Sequence, residues 1–420
     1  MVKTLHPIGE ICNTEALVGD RRVRLKREAD TCTDVSPSNG AYTRRDQSSL
    51  EPASAVRNAL SAPLDFPPLS AAIVSGDRVA IALDETVPCA ASIVRGAVDS
   101  LLNAGVDEES IYVVTRDAET SQLCRAELSR HGESAVHFIV HDPEDEHELC
   151  MVGVTEKHGP LVVNRIIFDA DIVLPIGCAR MNDVGVYDSL FPRFSNSEAI
   201  ERFRSPSAVS STGAHADRAR ETAEAGWLIG APMVVEVVPG SNETVANVIA
   251  GEPRAVADRA EQLLRERWSA RSLQRADLVV SIVTGGAHAQ NWNNVGRALA
   301  AAERVVTDHG AVVICSNVSE PPGESLGRLI GSDDFEATER QLLRDHADDS
   351  WPAWQLARAL QRGPVYFLSQ LDAETVEDLG MAPVADMEEL SRLVGRHESF
   401  IVLEDAQHVG PTVVGEDDES

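Results

Sequence analysis

Five short stretches hold most of the residue types that do chemistry, and each follows an apolar run. They are Asp84-Glu85-Thr86-Val87-Pro88, Thr115-Arg116-Asp117, His141-Asp142-Pro143, Gly177-Cys178-Ala179-Arg180 and Gly285-Gly286-Ala287-His288-Ala289-Gln290-Asn291. A histidine beside a carboxylate suits general acid/base work, and an arginine offers bidentate bonds to a carboxylate or phosphate. Each stretch also has a plainer reading. Asp, Thr and Ser after a strand commonly cap the next helix, and adjacent residues such as His141 and Asp142 rarely bond side chain to side chain. The acidic run DPEDEHE at 142–148 is either a carboxylate cation site or, more commonly, a solvated charge run.

These loops meet only if the strands before them run parallel, since ligands bind beyond the carboxyl ends of open parallel sheets. RVAIALD (78–84), IYVVT (111–115), AVHFIV (135–140) and IVLPIG (172–177) read as strands. Between the first two, Ile93, Val94, Ala97, Val98, Leu101 and Leu102 share a helical face, with Pro88 before it and Gly105 as its stop. Strand, crossover helix, strand predicts parallel neighbours. After a long helix over 253–270 the alternation resumes. ADLVVSIVT (276–284) precedes a helix with Val295, Ala298, Leu299, Ala302 and Val305 on one face, then AVVICS (311–316), PVYFLS (364–369) and SFIVLED (399–405). The expectation is an α/β protein of two α/β domains, with mainly parallel sheets facing across a cleft, at 56–270 and 271–410. Residues 1–55 read as a poorly ordered or loosely docked arm with a candidate edge strand at 22–26, and 411–420 as an acidic tail.

Composition excludes several classes. Sixty-seven Asp plus Glu face 37 Lys plus Arg in 420 residues, a formal net charge of −30. Such a chain repels phosphate backbones, which argues against nucleic-acid and anionic-membrane partners. No apolar run approaches the roughly 20 residues of a membrane helix, and MVKTLHPIGEICNTE carries no signal-peptide stretch, so the expected location is cytoplasmic. Cys12, Cys32, Cys89, Cys124, Cys150, Cys178 and Cys315 are dispersed without a C-x-x-C pair and read as reduced thiols. No metal-ligating set is assigned. The missing G-x-G-x-x-G, P-loop and G-x-S-x-G argue against dinucleotide, nucleotide and serine-hydrolase chemistry. Only Lys3, Lys26 and Lys157 are lysines.

The order of these loops resembles the LarA-like family, the nickel-pincer lactate racemases and related 2-hydroxyacid epimerases, over most of residues 55–410. The family's D-x-T-R-P motif is matched by Asp84, Thr86 and Pro88, with Val87 replacing the arginine. Its His-Asp pair is matched by His141 and Asp142, and its Asn-Arg…Asp…Gly stretch by Asn164, Arg165, Asp171 and Gly177. ETAEAGWLIGAPMVVEVVPG, VIAGEP and DLVVSIVTGGAHAQNWNNVGRAL also follow family patterns. The resemblance implies a hydroxyacid racemase or epimerase with a nickel-pincer nucleotide. It implies His141 and Asp142 near the acid/base site, and Asp84, Thr86, Arg116, Asn164 and Arg165 around a cofactor phosphate or substrate carboxylate. Asp117, Asp183, Tyr187 and His288 are further cleft candidates.

The departures fall on the chemistry. Ala118 stands where the family's T-G-x-H motif has its catalytic histidine, and CARMNDVGVYDSLFPRFS holds neither the second histidine nor the tethering lysine. EAIERFRSP lacks the metal-ligating histidine, and Ala287-His288 stands where a lysine is common. Racemising a 2-hydroxyacid by hydride transfer needs a hydride acceptor and a base for the hydroxyl on each face, and a guanidinium cannot replace the tethering amine. Two functions remain: an isomerase acting on hydroxyacids with a divergent cleft, or a non-catalytic protein binding a hydroxyacid or nucleotide-like ligand. Either is compatible with a homo-oligomer.

Overall fold

The computed structural model describes residues 50–413 except 156–158, 182–184, 209 and 273. The candidate strand at 22–26 and Asp183 therefore lie outside the described residues. The described chain divides into two compact units, one of residues 50–203 and 208–264, the other of 204–207 and 265–413. Both are α/β with mainly parallel sheets.

In the first unit β1 (Val79–Leu83), β2 (Ile111–Thr115) and β3 (His137–Val140) precede an antiparallel hairpin of β4 (Leu149–Thr155) and β5 (Gly159–Asn164). Then come β6 (Ile172–Cys178), β7 (Val234–Pro239) and β8 (Val245–Gly251). The main sheet has the order β3-β2-β1-β6-β7-β8 and is parallel except for β7–β8. The chain order reverses between β1 and β6, so a crevice is expected beyond their carboxyl ends.

Every residue of β1 is buried, as befits a strand covered on both faces. On one face Val79, Ile81 and Leu83 pack with Val56 and Leu60 of helix α1 (Pro52–Ser61) and Ile93, Ala97 and Leu101 of α2 (Ala90–Asn103). On the other, Ala80 and Ala82 pack with Leu190, Phe191 and Phe194. Each large aliphatic contributes roughly 1.5–3 kcal/mol by burial. Helix α3 (Ala118–His131) follows β2, α4 (Thr212–Ile229) precedes β7, and α5 (Pro253–Trp268) runs across the unit boundary after Leu264.

The second unit holds β9 (Ser269–Ser272), β10 (Ala276–Ile282), α6 (Trp292–Glu303), β11 (Val306–Cys315), α7 (Ser350–Arg362), β12 (Val365–Leu368), β13 (Ala382–Pro383), β14 (Phe400–Leu403) and β15 (Gly410–Val413). Its main sheet runs β13-β12-β11-β10-β14, parallel throughout, and β9 pairs with β15. Here the order reverses between β10 and β14.

Three features depart from the sequence pattern. Helix α1 begins inside the stretch read as arm: Glu51 accepts from Ser54 N at 2.8 Å, Pro52 starts the helix, and Ala53, Val56 and Leu60 are buried. The hairpin escapes a periodicity search because β4 holds Gly153 and exposes Met151 and Val154. Residues 411–413 of the acidic tail belong to β15. No described helix is long and apolar enough to cross a membrane.

Candidate functional site

At the reversal between β1 and β6 the backbone of Asp84 continues the ladder, its N–H donating to Ile176 O at 3.0 Å. Its side chain is 4% exposed. Oδ1 accepts from Thr86 N at 2.8 Å and from Thr86 Oγ1 at 2.6 Å, and Oδ2 lies 3.1 Å from Arg193 Nε. Burial would raise the Asp84 pKa, but the charges of Arg193 and Arg180 and the bonds from Thr86 outweigh it and hold the carboxyl below its ordinary range. Glu85 extends the cluster, its Oε1 2.7 Å from Arg193 Nη1 and 3.5 Å from Arg116 Nη1. Asp84, Thr86 and Arg116 are thus brought together around Glu85 and Arg193. Sequence reasoning missed those two as partners because 108 residues separate them; no local spacing could reveal the contact.

The next loop is held by neutral groups. Asn164 Oδ1 accepts from Ile166 N at 3.0 Å, capping the short helix Arg165–Phe168, which turns its Nδ2 toward His141 Nδ1 at 3.2 Å. The other ring nitrogen, Nε2, lies 2.8 Å from Ser195 O. A carbonyl only accepts, so Nε2 carries the proton and Nδ1 accepts from the amide. Burial lowers the His141 pKa, with the charge of Arg116 adding to it, while the Ser195 carbonyl and Asp142 pull the other way. The result is a buried neutral imidazole with both nitrogens engaged. Phe194 lies edge-on to its ring, 5.8 Å between centroids. The segment Arg193-Phe194-Ser195 therefore braces both the Asp84 and His141 loops.

The remaining sequence candidates scatter. Asp142 is exposed and closes a turn, accepting from Glu144 N at 2.9 Å. Asp117 caps α3 by accepting from Thr120 N at 2.6 Å. Arg165 donates to His147 O at 3.1 Å and Leu149 O at 2.9 Å, tying the acidic loop to the hairpin. Tyr187 donates to Ala231 O at 2.6 Å, and burial pushes its pKa up to about 12. His288 is exposed in the second unit, in a 3-10 turn after β10.

The second unit's reversal is built from other chemistry. Thr284, after β10, donates from its hydroxyl to Asp405 Oδ1, after β14. Gln407 Nε2 donates to Thr284 O at 3.0 Å, and Gln407 Oε1 accepts from Thr284 N at 3.3 Å. Gln290 Oε1 accepts from Ser316 Oγ at 2.8 Å and Asn317 N at 2.7 Å, linking the ends of β10 and β11. Asp405 and Gln407 are buried. Neither was singled out from sequence, because SFIVLED and its continuation read as a strand and its end.

The nickel-pincer group that the family resemblance implies does not fit the residues at the first reversal. No lysine or histidine occurs at 178–196, and both ring nitrogens of His141 are engaged. Among the described residues no three His, Cys, Asp or Glu side chains are grouped to hold a metal ion.

Two α/β units with mainly parallel sheets, each with polar loops at the reversal of its strand order, define the class: a two-domain α/β protein. Comparison makes the class specific. Residues 27–187 match the lactate racemase N-terminal domain. Over 285 residues the chain is 21% identical to a lactate racemase of Thermoanaerobacterium thermosaccharolyticum, covering 63% of this chain and 67% of that protein. The lactate racemase apoprotein structure from the same organism aligns with a TM-score of 0.73 at 19% identity, over 86% of this chain and 93% of that one. A Thermotoga maritima protein aligns with a TM-score of 0.64 at 13% identity, over 86% and 99%. The chain is thus similar to lactate racemases in its N-terminal domain and in its fold.

Proposed function

We propose that this chain binds a small hydroxyacid-type carboxylate beyond the ends of β1 and β6, and that it falls formally in the racemase and epimerase class without the lysine-tethered nickel mechanism. The observation that carries the reading is the arginine cluster around a buried, ionised Asp84: Arg193 contacts it, Arg180 acts on it by charge, and Arg116 reaches the neighbouring Glu85. Guanidinium groups at a crevice suit a planar carboxylate, and Arg116 is the group assigned to it. Arg116→Ala should abolish binding of lactate or 2-hydroxybutyrate, measured by calorimetry, while circular dichroism stays unchanged. Unaltered affinity would remove Arg116 from the site.

A second reading has its own support. His141 donates to one backbone carbonyl and accepts from one amide, the pattern of a structural histidine. That favours a protein that binds its ligand without turning it over. Polarimetry with each enantiomer of lactate separates the two readings, since racemisation sinks the second. Intact mass and metal content of the protein purified from its own source test the tether. A mass excess with stoichiometric nickel would overturn the tether-free part of the proposal.

A further inference from the structure

Helix α3 ends on Gly132, whose φ of 93° lets the chain turn back. Gly132 N donates to Ser129 O at 3.3 Å and Glu133 N to Leu128 O at 3.1 Å. The connection from there to β3 is 133–136, and residues well before it in the chain fasten it. Ala135 N donates to Glu108 Oε2 at 3.1 Å. The Glu133 carboxyl folds back onto α2, within hydrogen-bond reach of the Asp99 carboxyl. Among the described strands β3 lies at the edge of its sheet, paired with β2, so these fastenings hold its leading end.

Two carboxyl groups that close need a proton between them, because an ionised carboxylate only accepts and a protonated one has an O–H to give. Asp99 is the member with a cation: Arg57 Nη1 of α1 lies 2.5 Å from its Oδ2. Arg57 also lies 3.6 Å from Glu51 and donates to Ser54 Oγ at 2.7 Å. Glu133 has the opposite surroundings. No N–H or O–H of the described residues reaches its buried Oε2. The charges facing it are Asp99 from α2 and Glu108 from the turn Glu108–Ser110, opposed by His131 of α3. His131 has Arg95 Nη1 2.9 Å from one ring nitrogen and the Glu127 carbonyl 2.9 Å from the other. Burial, then the bond and charge of Asp99, push the Glu133 pKa up to about 7. The arginine thus assigns the charge to Asp99 and the proton to Glu133.

We infer that Asp99 and Glu133 form a proton-held clasp, in which protonated Glu133 donates to Asp99 and ties the α3–β3 connection to α2 until that proton is lost. On opening, the proton goes to water, Asp99 keeps Arg57, and like-charge repulsion turns the Glu133 carboxylate away from Asp99. The direction follows from the raised pKa. The clasp contributes fully below the ordinary carboxyl range, and its contribution is lost as pH rises through about 7. The α3–β3 connection therefore loosens toward alkali, whereas the Asp84 pair weakens toward acid. The clasp does not depend on what the crevice binds.

The test is the melting temperature of the full chain from about pH 5 to about pH 9 for the wild type, Glu133→Gln and Glu133→Ala, with amide hydrogen exchange of 132–136 read at both ends. Gln keeps an N–H donor for Asp99 at every pH. Wild type and Gln variant should therefore match near pH 5, and the wild type should fall below the Gln variant as pH passes about 7. The Ala variant has no donor at any pH, so it should lie below the wild type near pH 5 and draw level with it, or pass it, near pH 9. Corrected for intrinsic rates, exchange at Glu133 and Ala135 should quicken at least about threefold toward alkali in the wild type and stay flat in the Gln variant. His131 remains in all three chains, so its own titration cancels. Parallel wild-type and Gln curves, a Gln curve below the wild type throughout, or the same exchange in both at each end overturns the clasp.

Discussion

The two domains reverse their strand order in the same way and fill the reversal with opposite chemistry. Beyond β1 and β6 the polar groups are ions: Asp84 and Glu85 held by Arg193, with Arg116 at the edge. Beyond β10 and β14 they are hydroxyls and amides around one acid, with Thr284, Gln290 and Gln407 bonding each other's neighbours and Asp405. A buried ion pair leaves a strong field at its rim, whereas hydroxyls and amides gathered around one acid share out hydrogen bonds without a paired cation among those bonds. The difference teaches that a shared topology supplies only the place for a site. The arginine-rich reversal is the one to which the proposed anion site is assigned, and the other ties two strand ends together through Thr284, Asp405 and Gln407.

The largest test of that contrast is Arg193→Ala, which leaves Asp84 buried without its contacting cation and should cost about 3 kcal/mol in urea unfolding. A loss below about 1 kcal/mol, the size of a surface pair, would erase the distinction between the reversals. Asp405→Ala at the other reversal should cost roughly 1–3 kcal/mol, since Thr284 loses its acceptor. Asp405→Asn should cost less than about 1 kcal/mol, because an amide oxygen still accepts from Thr284 and asparagine tolerates the left-handed backbone found there, φ 51°.

The acid limb sharpens the same contrast. The folded Asp84 pKa lies below its ordinary value. Its contribution is therefore present above about pH 4 and lost as pH falls through the folded value. The unfolding free energy of the wild type should drop more steeply from about pH 5 downward than that of Arg193→Ala. Equal slopes would mean that the field at Asp84 comes from elsewhere. The smallest effect expected is at Cys89, which opens α2 with φ 54°. Cys89→Gly should raise the unfolding free energy slightly, by no more than about 1 kcal/mol, relief of left-handed strain being partly offset by glycine's chain entropy.

Much of the frame was legible from the chain alone. IYVVT gave its strand to the residue, Ile111–Thr115, because a strand buried on both faces leaves an unbroken apolar run. Asp84 and Thr86 were legible as a loop motif because two residues apart they bond locally. The hairpin was not, since Gly153 and the exposed Met151 and Val154 break both strand patterns. The cysteines read as scattered thiols, and the described ones, Cys89, Cys124, Cys150, Cys178 and Cys315, form no disulfide with one another.

What the sequence by itself determined is local: where strands and helices lie, that two alternating blocks exist, and that the loops after the strands carry polar groups. Periodicity and capping act over a few residues, so one chain can show them. Only the tertiary structure decided which of those groups meet. Arg193 reaches Asp84 and Glu85, Ser195 locks His141, and Asp405 closes on Thr284. The physical reason is that these contacts are set by sheet order and register, which join residues tens to more than a hundred positions apart and leave no spacing to read.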